Sequence, residues 1–193
     1  MNDPTLDPRR TALLVMDFQR TIVERIAPDP AALLDRMARL LAAARAAGLR
    51  VIFVGVGFRD GYPEVSARNQ SFATIRTTGA FLSSAAGSEI HPAVAPAEGE
   101  VVVTKHRVSA FAGTDLDMIL RANDVDTLVL AGIATSGVVL STTRHAADAD
   151  YRLVIVRDCC ADADEEVHRV LSEKVFPRQA TVMTAEALMK SLA

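Results

Sequence analysis

The 193-residue sequence has only two cysteines, Cys159 and Cys160, and they are adjacent. Neighbouring residues of a strand point to opposite faces, so a disulfide between these two would be strained. The sequence therefore gives no sign of a disulfide scaffold or of a cysteine-based zinc site. A protein with reduced thiols is typical of the cytoplasm, and we expect that localisation.

The sequence also lacks a block of basic residues, and its formal net charge is −3. A nucleic-acid partner is therefore disfavoured. The longest apolar runs reach about six residues, too few to cross a membrane. Residues 1–10 hold no apolar segment of the kind that a secretory signal needs. No glycine-rich fingerprint follows the first apolar run, which disfavours a dinucleotide cofactor, and we expect no cofactor.

Half of the residues are hydrophobic, which is enough for a substantial core. Short apolar runs alternate with helical segments, a pattern typical of a doubly wound α/β fold with a parallel sheet. The predicted strands are Ala12–Met16, Val51–Val56, Val101–Val103, Leu128–Leu130, Leu153–Val156 and Thr181–Met183. We predict a single domain over residues 1–193, with residues 1–10 as an N-terminal arm.

The most regular helix is predicted from Pro30 to just before Gly48, with an apolar stripe at helical spacing. A later helix begins at Asp162 or Asp164 and places His168 on its flank, where we expect a surface residue. Residues 57–100 show little periodicity and predict a long loop that covers one edge of the sheet. Its arginines Arg59, Arg68 and Arg76 are either partners for a substrate carboxylate or solvated loop charges.

Polar residues follow three of the predicted strands directly. Asp17 follows the first strand, Lys105 follows the third, and the turn 132–138 follows the fourth. The carboxyl ends of parallel strands meet at one edge, where open α/β folds bind small molecules. Thr135 and Ser136 are good N-cap residues, and the N–H groups of the helix start suit an anionic group. The alternatives are a solvated aspartate, a surface lysine and an ordinary strand-to-helix turn.

Four segments in this order resemble the isochorismatase-like hydrolase superfamily, which includes nicotinamidases and N-carbamoyl amide hydrolases. They read ALLVMDFQ, VVVTKHRVSAFAGTDLDMILR, TLVLAGIATSGVVLSTTRHAADADYRLVIVRDCCAD and FPRQATVMTAEAL, and the resemblance covers residues 10 to 190. It implies three α/β/α layers around a Rossmann-like parallel sheet of six strands in the order 3-2-1-4-5-6.

The resemblance also implies roles for individual residues. It implies that Asp17 and Lys105 are catalytic, and that the Ile133–Ala134 peptide bond is cis. In that strand order the lysine must reach over the end of the second strand, and we predict that the two side chains lie within salt-bridge distance. The substrate-binding positions that it implies are Gln19, Phe111, Ile133, Ala134, Ser136, Gly137 and Val138.

The sequence departs from the family pattern at one decisive position. Hydrolases of this family usually read G-x-A-T-x-x-C, and the same spacing from Gly132 places Val138 where the cysteine nucleophile stands. A valine side chain has no lone pair with which to attack a carbonyl carbon, so acyl-enzyme chemistry cannot run there. The Asp-x-His pattern of the nicotinamidase metal site is also missing after the second strand, and we infer no metal.

Two classes of function stay open. The first is a hydrolase that acts on a small, anionic molecule by cysteine-independent acid–base chemistry of Asp17 and Lys105. The resemblance implies that true isochorismatases also lack the cysteine, although they carry a tyrosine where this chain has Ala134. The second is a catalytically silent relative that binds a small ligand or serves as an assembly subunit. A plain nucleotide-binding domain is disfavoured by the missing glycines. In either case we expect a homodimer or a higher homo-oligomer.

Overall fold

The computed structural model describes residues 6–192, and a parallel sheet of six strands forms its central layer. The strands are β1 (Thr11–Met16), β2 (Arg50–Val56), β3 (Val101–Lys105), β4 (Thr127–Ile133), β5 (Arg152–Ala161) and β6 (Thr181–Met183). Their order in the sheet is β3-β2-β1-β4-β5-β6, which confirms the predicted order and fold class. The direction of winding reverses between β1 and β4, the position at which folds of this type bind their ligands.

Helices cover both faces of the sheet. They are α1 (Arg20–Ile26), α2 (Pro30–Ala46), α3 (Gln70–Thr78), α4 (Leu116–Ala122), α5 (Leu140–Asp148), α6 (Glu165–Val170) and α7 (Ala185–Leu192). Short 3₁₀ turns lie at Pro8–Arg10, Pro92–Val94 and Phe176–Arg178, and π-helical turns lie at Thr135–Val139 and Leu171–Val175. Within residues 6–192, none of the helices is both long and apolar enough to cross a membrane.

Alternating side chains of the strands divide the core into two layers. In β1, Leu13 and Val15 pack on the layer that includes the buried stripe of α2, whereas Leu14 and Met16 pack on the layer of α4 and α5. Burial of β1 on both faces explains its uninterrupted apolar sequence. The six buried residues of α2 are the predicted stripe, namely Leu33, Leu34, Met37, Leu40, Leu41 and Ala44.

Gly132 lies inside β4, not at a turn that leaves the strand. A Cβ atom at this position would lie 3.1 Å from Met16 Cβ, from Met16 O and from Val139 Cγ2. A side chain here would therefore push the end of β1 away from the turn that follows β4. The glycine allows the carboxyl ends of β1 and β4 to approach closely, which draws the candidate site together.

The structure corrects two sequence predictions. Residues 57–100 are not one long loop, because they contain α3 and the turn Pro92–Val94. The fifth strand does not end before Asp158, because β5 continues to Ala161 and pairs again with β4 after a register shift. Its polar residues Arg157 and Asp158 interrupt the apolar run that the sequence shows, although the backbone pairing resumes beyond them.

Candidate active site

Asp17 and Lys105 meet at the carboxyl edge of the sheet. Asp17 follows the last residue of β1 with a φ of 58°, an uncommon conformation for a residue with a side chain, and its N–H donates to Val54 O at 2.7 Å. Lys105 is the last residue of β3 and lies in register with Val56 of β2. Its Nζ lies 2.9 Å from Asp17 Oδ2, which confirms the predicted contact. The lysine stem thus reaches across the end of β2.

Burial governs the electrostatics of this pair. The side chains of Lys105 and Asp17 are 3% and 7% exposed. Burial raises the pKa of Asp17, and the neighbouring Lys105 ammonium opposes that rise. Lys105 Nζ also donates to the carbonyl of Arg107 at 3.1 Å. Asp17 Oδ1 is buried and has no hydrogen-bond partner among the described residues. One carboxyl oxygen of the pair is therefore left for another molecule.

Gln19 holds the edge of the sheet to the segment that covers it. Its Oε1 accepts from Val56 N–H at 2.8 Å, and its Nε2 donates to Val56 O at 2.9 Å and to Ser88 O. The chain itself therefore engages both ends of the buried amide. These contacts favour a structural role for Gln19, and its predicted substrate contact stays a prediction.

The turn after β4 begins with a cis peptide bond between Ile133 and Ala134. The residue at the N-cap is Ala134, so the predicted caps Thr135 and Ser136 are wrong. These two residues lie instead in the first turn of the π-helical segment. Ser136 is exposed, and its N–H donates to Asp162 Oδ2 at 2.7 Å. A carboxylate of the protein thus occupies one of the N–H groups that the sequence offered to an anionic ligand.

The segment after β5 holds this turn from outside. Of the two predicted starts of α6, Asp164 is the N-cap, and its carboxylate accepts from Glu166 N–H and Val167 N–H. His168 is not a plain surface residue, because its Nδ1 lies 2.8 Å from Thr135 Oγ1. Partial burial lowers the pKa of His168, although the charge of Asp162 opposes this. Sequence patterns gave no signal for either contact, since the partners are more than 25 residues apart.

Val138, Phe111 and Ile133 are buried, whereas Ala134 and Gly137 are half-buried. Val138 and Phe111 belong to the apolar core layer that contains Met16, and the Phe111 ring stacks on His145 with a centroid distance of 4.6 Å. The position of Val138 thus presents an alkyl group to its surroundings and no nucleophile. The assignment of these residues to substrate stays a prediction.

A cavity of about 430 Å³ is lined by Glu64, His106, Arg107, Ala112 and Gly113. It is linked to the ion pair through Arg107, whose carbonyl accepts from Lys105 Nζ. The sequence did not single out these residues, although Arg107 lies only two positions after Lys105. Of the three loop arginines proposed as carboxylate partners, Arg59 pairs with Glu64 at 2.5 Å. The other two, Arg68 and Arg76, are exposed on the segment that contains α3.

The two cysteines do not offer a substitute nucleophile. Both are buried in β5, and burial raises the pKa of Cys160 to about 12 and raises that of Cys159 as well. Neither thiol ionises appreciably near neutral pH, and the thiolate is the reactive form. Across residues 6–192, no group of three or more His, Cys, Asp or Glu side chains is arranged to hold a metal ion.

Comparison with known proteins identifies the family of this chain. The family described as the Isochorismatase domain matches residues 11–187. The chain therefore belongs to the isochorismatase family of hydrolases. It is 30% identical to the isochorismatase family protein YwoC of Bacillus subtilis, over 100% of this chain and 99% of the relative.

Two further relatives have informative names. Maleamate amidohydrolase of Pseudomonas putida is 30% identical over 95% of this chain and 87% of its own length. A cysteine hydrolase from Pseudomonas syringae pv. phaseolicola superposes with a TM-score of 0.88 at 25% identity, over 100% of this chain and 98% of that one.

Proposed function

We propose that this chain hydrolyses a small, anionic molecule by acid–base chemistry of Asp17 and Lys105, without a cysteine nucleophile. The observation that carries the proposal is the buried Asp17 carboxyl, of which Oδ2 is held by Lys105 and Oδ1 has no partner in the described part of the chain. An unpartnered, buried carboxyl oxygen at the ligand-binding edge of such a sheet is suited to exchange a proton with a substrate or a water molecule.

Asp17 is the proton-transfer group in this proposal. Its raised pKa brings the acid form closer to neutral pH than that of a free aspartate, which favours proton exchange in both directions. As water attacks, its oxygen bonds to the electrophilic carbon and its proton moves to Oδ1. Oδ1 then gives this proton to the leaving group as the bond between that group and the carbon breaks. Lys105 keeps Oδ2 fixed, so that Oδ1 carries the transferred proton.

The bond to be cleaved is best sought among amides. Maleamate amidohydrolase is named for an amide of a carboxylic acid. We propose that the substrate of this chain belongs to the same class, small carboxylates with an amide or carbamoyl group. Val138 at the position of the family nucleophile requires that water attacks directly, since an alkyl side chain cannot form an acyl intermediate.

A catalytically silent relative that binds a small ligand is the second candidate. It is favoured by Val138, and by the use of Ser136 N–H within the protein, because Asp162 occupies a donor that an oxyanion would otherwise use. In this case the ion pair recognises a ligand and no bond is broken.

Product analysis by mass spectrometry decides between the two candidates. The protein is incubated with a panel of small amides, carbamoyl compounds and isochorismate, alongside an Asp17→Asn variant. Asp148→Asn, which removes an exposed carboxylate from the end of α5, is the matched control. We expect turnover that Asp17→Asn abolishes and Asp148→Asn retains. Turnover that survives in Asp17→Asn contradicts the proposed chemistry, and ligand binding without turnover supports the silent relative.

A further inference from the structure

The cavity lined by Glu64, His106 and Arg107 contains an arginine that is fixed by the main chain. Arg107 Nη1 donates to the carbonyls of Glu64 at 3.1 Å and of His106 at 2.6 Å, and these two bonds fix the plane of the guanidinium. Its Nε and Nη2 make no hydrogen bond within residues 6–192, and neither is fully buried. A guanidinium fixed at one nitrogen, with two others free, has the fork geometry that pairs with a carboxylate.

The charges around the cavity leave one positive charge in excess. Glu64 is neutralised by Arg59 through its Oε1, and the charges of Asp17 and Lys105 cancel. The guanidinium of Arg107 has no carboxylate partner among the ion pairs of the described chain. An anion in this cavity would therefore meet a net attraction in a partly buried place, where screening by water is weak.

A second group in the cavity lacks a partner. Glu64 Oε2 is buried without a hydrogen bond from any residue that the structure describes, and the Glu64 side chain is 11% exposed. Burial raises the pKa of Glu64, but hydrogen bonds from its own backbone and from Arg59 lower it overall. The carboxylate is thus ionised and accepts an N–H donor. Leaving such an oxygen unsatisfied is costly, which favours a ligand that supplies the donor.

The tautomer of His106 is fixed by a carbonyl. Its Nδ1 lies 2.5 Å from Gly57 O, and because a carbonyl only accepts, Nδ1 carries the proton. The ring is packed against Phe58 at a centroid distance of 5.8 Å. The hydrogen bond to Gly57 and the packing on Phe58 therefore fix the His106 ring where it lines the cavity, after the end of β3.

We infer that this cavity is a subsite for the substrate, with Arg107 as the specificity-determining residue for its carboxylate and Glu64 as the acceptor for the N–H of its amide or carbamoyl group. The ligand class is a small monocarboxylate that carries an amide or carbamoyl N–H. The inference rests on the proposed function, because it assumes that the reacting bond lies at Asp17. Lys105 links the two places, since its Nζ contacts both Asp17 and the Arg107 carbonyl.

Isothermal titration calorimetry with succinamate and succinamide tests the inference. The two probes have the same size and the same amide group, and they differ in a carboxylate. We expect the wild-type protein to bind succinamate more tightly than succinamide. Arg107→Met should lose about 10- to 100-fold in succinamate affinity, because a charge-assisted hydrogen bond is removed. Its affinity for succinamide should stay within about twofold of the wild-type value. Arg107→Lys should recover part of the preference, because it keeps the charge and loses the fork. Arg50→Met, at an exposed arginine that begins β2 at the opposite edge of the sheet, is the matched control and should bind as the wild type does.

Glu64→Gln should weaken succinamide, because the carboxylate that accepts the amide N–H is lost, and should weaken succinamate less, because the loss of one negative charge favours its carboxylate. A wild-type protein that binds succinamate no better than succinamide overturns the inference. So does an Arg107→Met variant that loses affinity for both probes equally, or for neither. A preference for succinamate that depends on Arg107, without any turnover, contradicts the proposed function and supports the subsite. Turnover of a carboxylate substrate whose KM does not change in Arg107→Met supports the proposed function and contradicts the subsite.

Discussion

Replacing Lys105 with methionine tests the ion pair most severely. The variant keeps an unbranched apolar side chain and removes the ammonium that lies 2.9 Å from Asp17 Oδ2. Both side chains are almost fully buried, so bulk water does not compensate for the lost partner as it would at an exposed site. Removing one member of a buried pair costs about 3–5 kcal/mol. For a chain of this size, that loss lowers the Tm by roughly 6–20 °C.

The cost should depend on pH in a definite direction. Burial raises the pKa of Asp17 in the folded protein above its ordinary value of 3.8, so ionisation of this group opposes folding. Its contribution to stability is complete below the unfolded pKa and is lost as the pH rises through the folded pKa. In Lys105→Met the opposing ammonium is absent and the folded pKa rises further. The stability difference between wild type and variant should therefore be largest at pH 7 and smallest near pH 4.

Urea unfolding followed by circular dichroism at pH 4, 5.5 and 7 measures this difference. Asp17→Asn and the double variant Asp17→Asn with Lys105→Met complete the cycle, and the double variant should lose less than the sum of the two single losses. Lys190→Met, at an exposed lysine paired only with Glu186 on α7, is the matched control and should change stability by under about 1 kcal/mol. A Lys105→Met protein as stable as the wild type at pH 7, or a loss that does not vary with pH, refutes the reasoning.

Three further predictions concern the turn after β4 and the assembly. Val138→Cys should be alkylated faster at residue 138 than Cys159 and Cys160 are, because position 138 lies in the first turns of the helical segment Thr135–Val139, whose N–H groups lower a thiol pKa. Mass mapping that finds only Cys159 or Cys160 modified contradicts this placement of the turn. Asp162→Ala should lower the free energy of unfolding by about 1 kcal/mol in thermal unfolding, because Ser136 N–H loses its acceptor. Asp162→Asn keeps an acceptor oxygen and should lose less. Equal losses in the two variants would contradict the capping role of Asp162. Light scattering should give at least twice the chain mass of 20.7 kDa, and a monomer mass at micromolar concentration refutes the predicted oligomer.

The strands at the centre of the sheet were predictable from the sequence for a physical reason. β1 and β4 are buried on both faces, so their residues form unbroken apolar runs that composition alone reveals. β5 was predicted too short, because Arg157 and Asp158 interrupt its apolar run, although pairing with β4 resumes at Cys160 and Ala161. The contact of Asp17 with Lys105 was predictable because both residues follow parallel strands whose carboxyl ends meet at one edge of the sheet. The strand order then places only β2 between them.

The parts of the site that the sequence missed depend on contacts between distant segments. Thr135 and Ser136 have good capping propensity, yet Asp162 from the end of β5 accepts the Ser136 N–H. Glu64 reaches the cavity because the segment that contains α3 folds back over the sheet, and Gln19 anchors that segment through Ser88. Local patterns do not encode such contacts, since the hydrogen bonds form only when the sheet has brought the segments together.

The most direct test of the central claim compares hydrolysis by two variants on a substrate found with the panel. Cys159→Ala combined with Cys160→Ala removes every thiol of the chain, and Asp17→Asn removes the proposed proton-transfer group. We expect the thiol-free protein to retain kcat within a few-fold, whereas Asp17→Asn should lose about 100- to 10,000-fold in kcat. Loss of turnover in the thiol-free protein, with activity retained in Asp17→Asn, would show that a cysteine carries the reaction and would contradict the account.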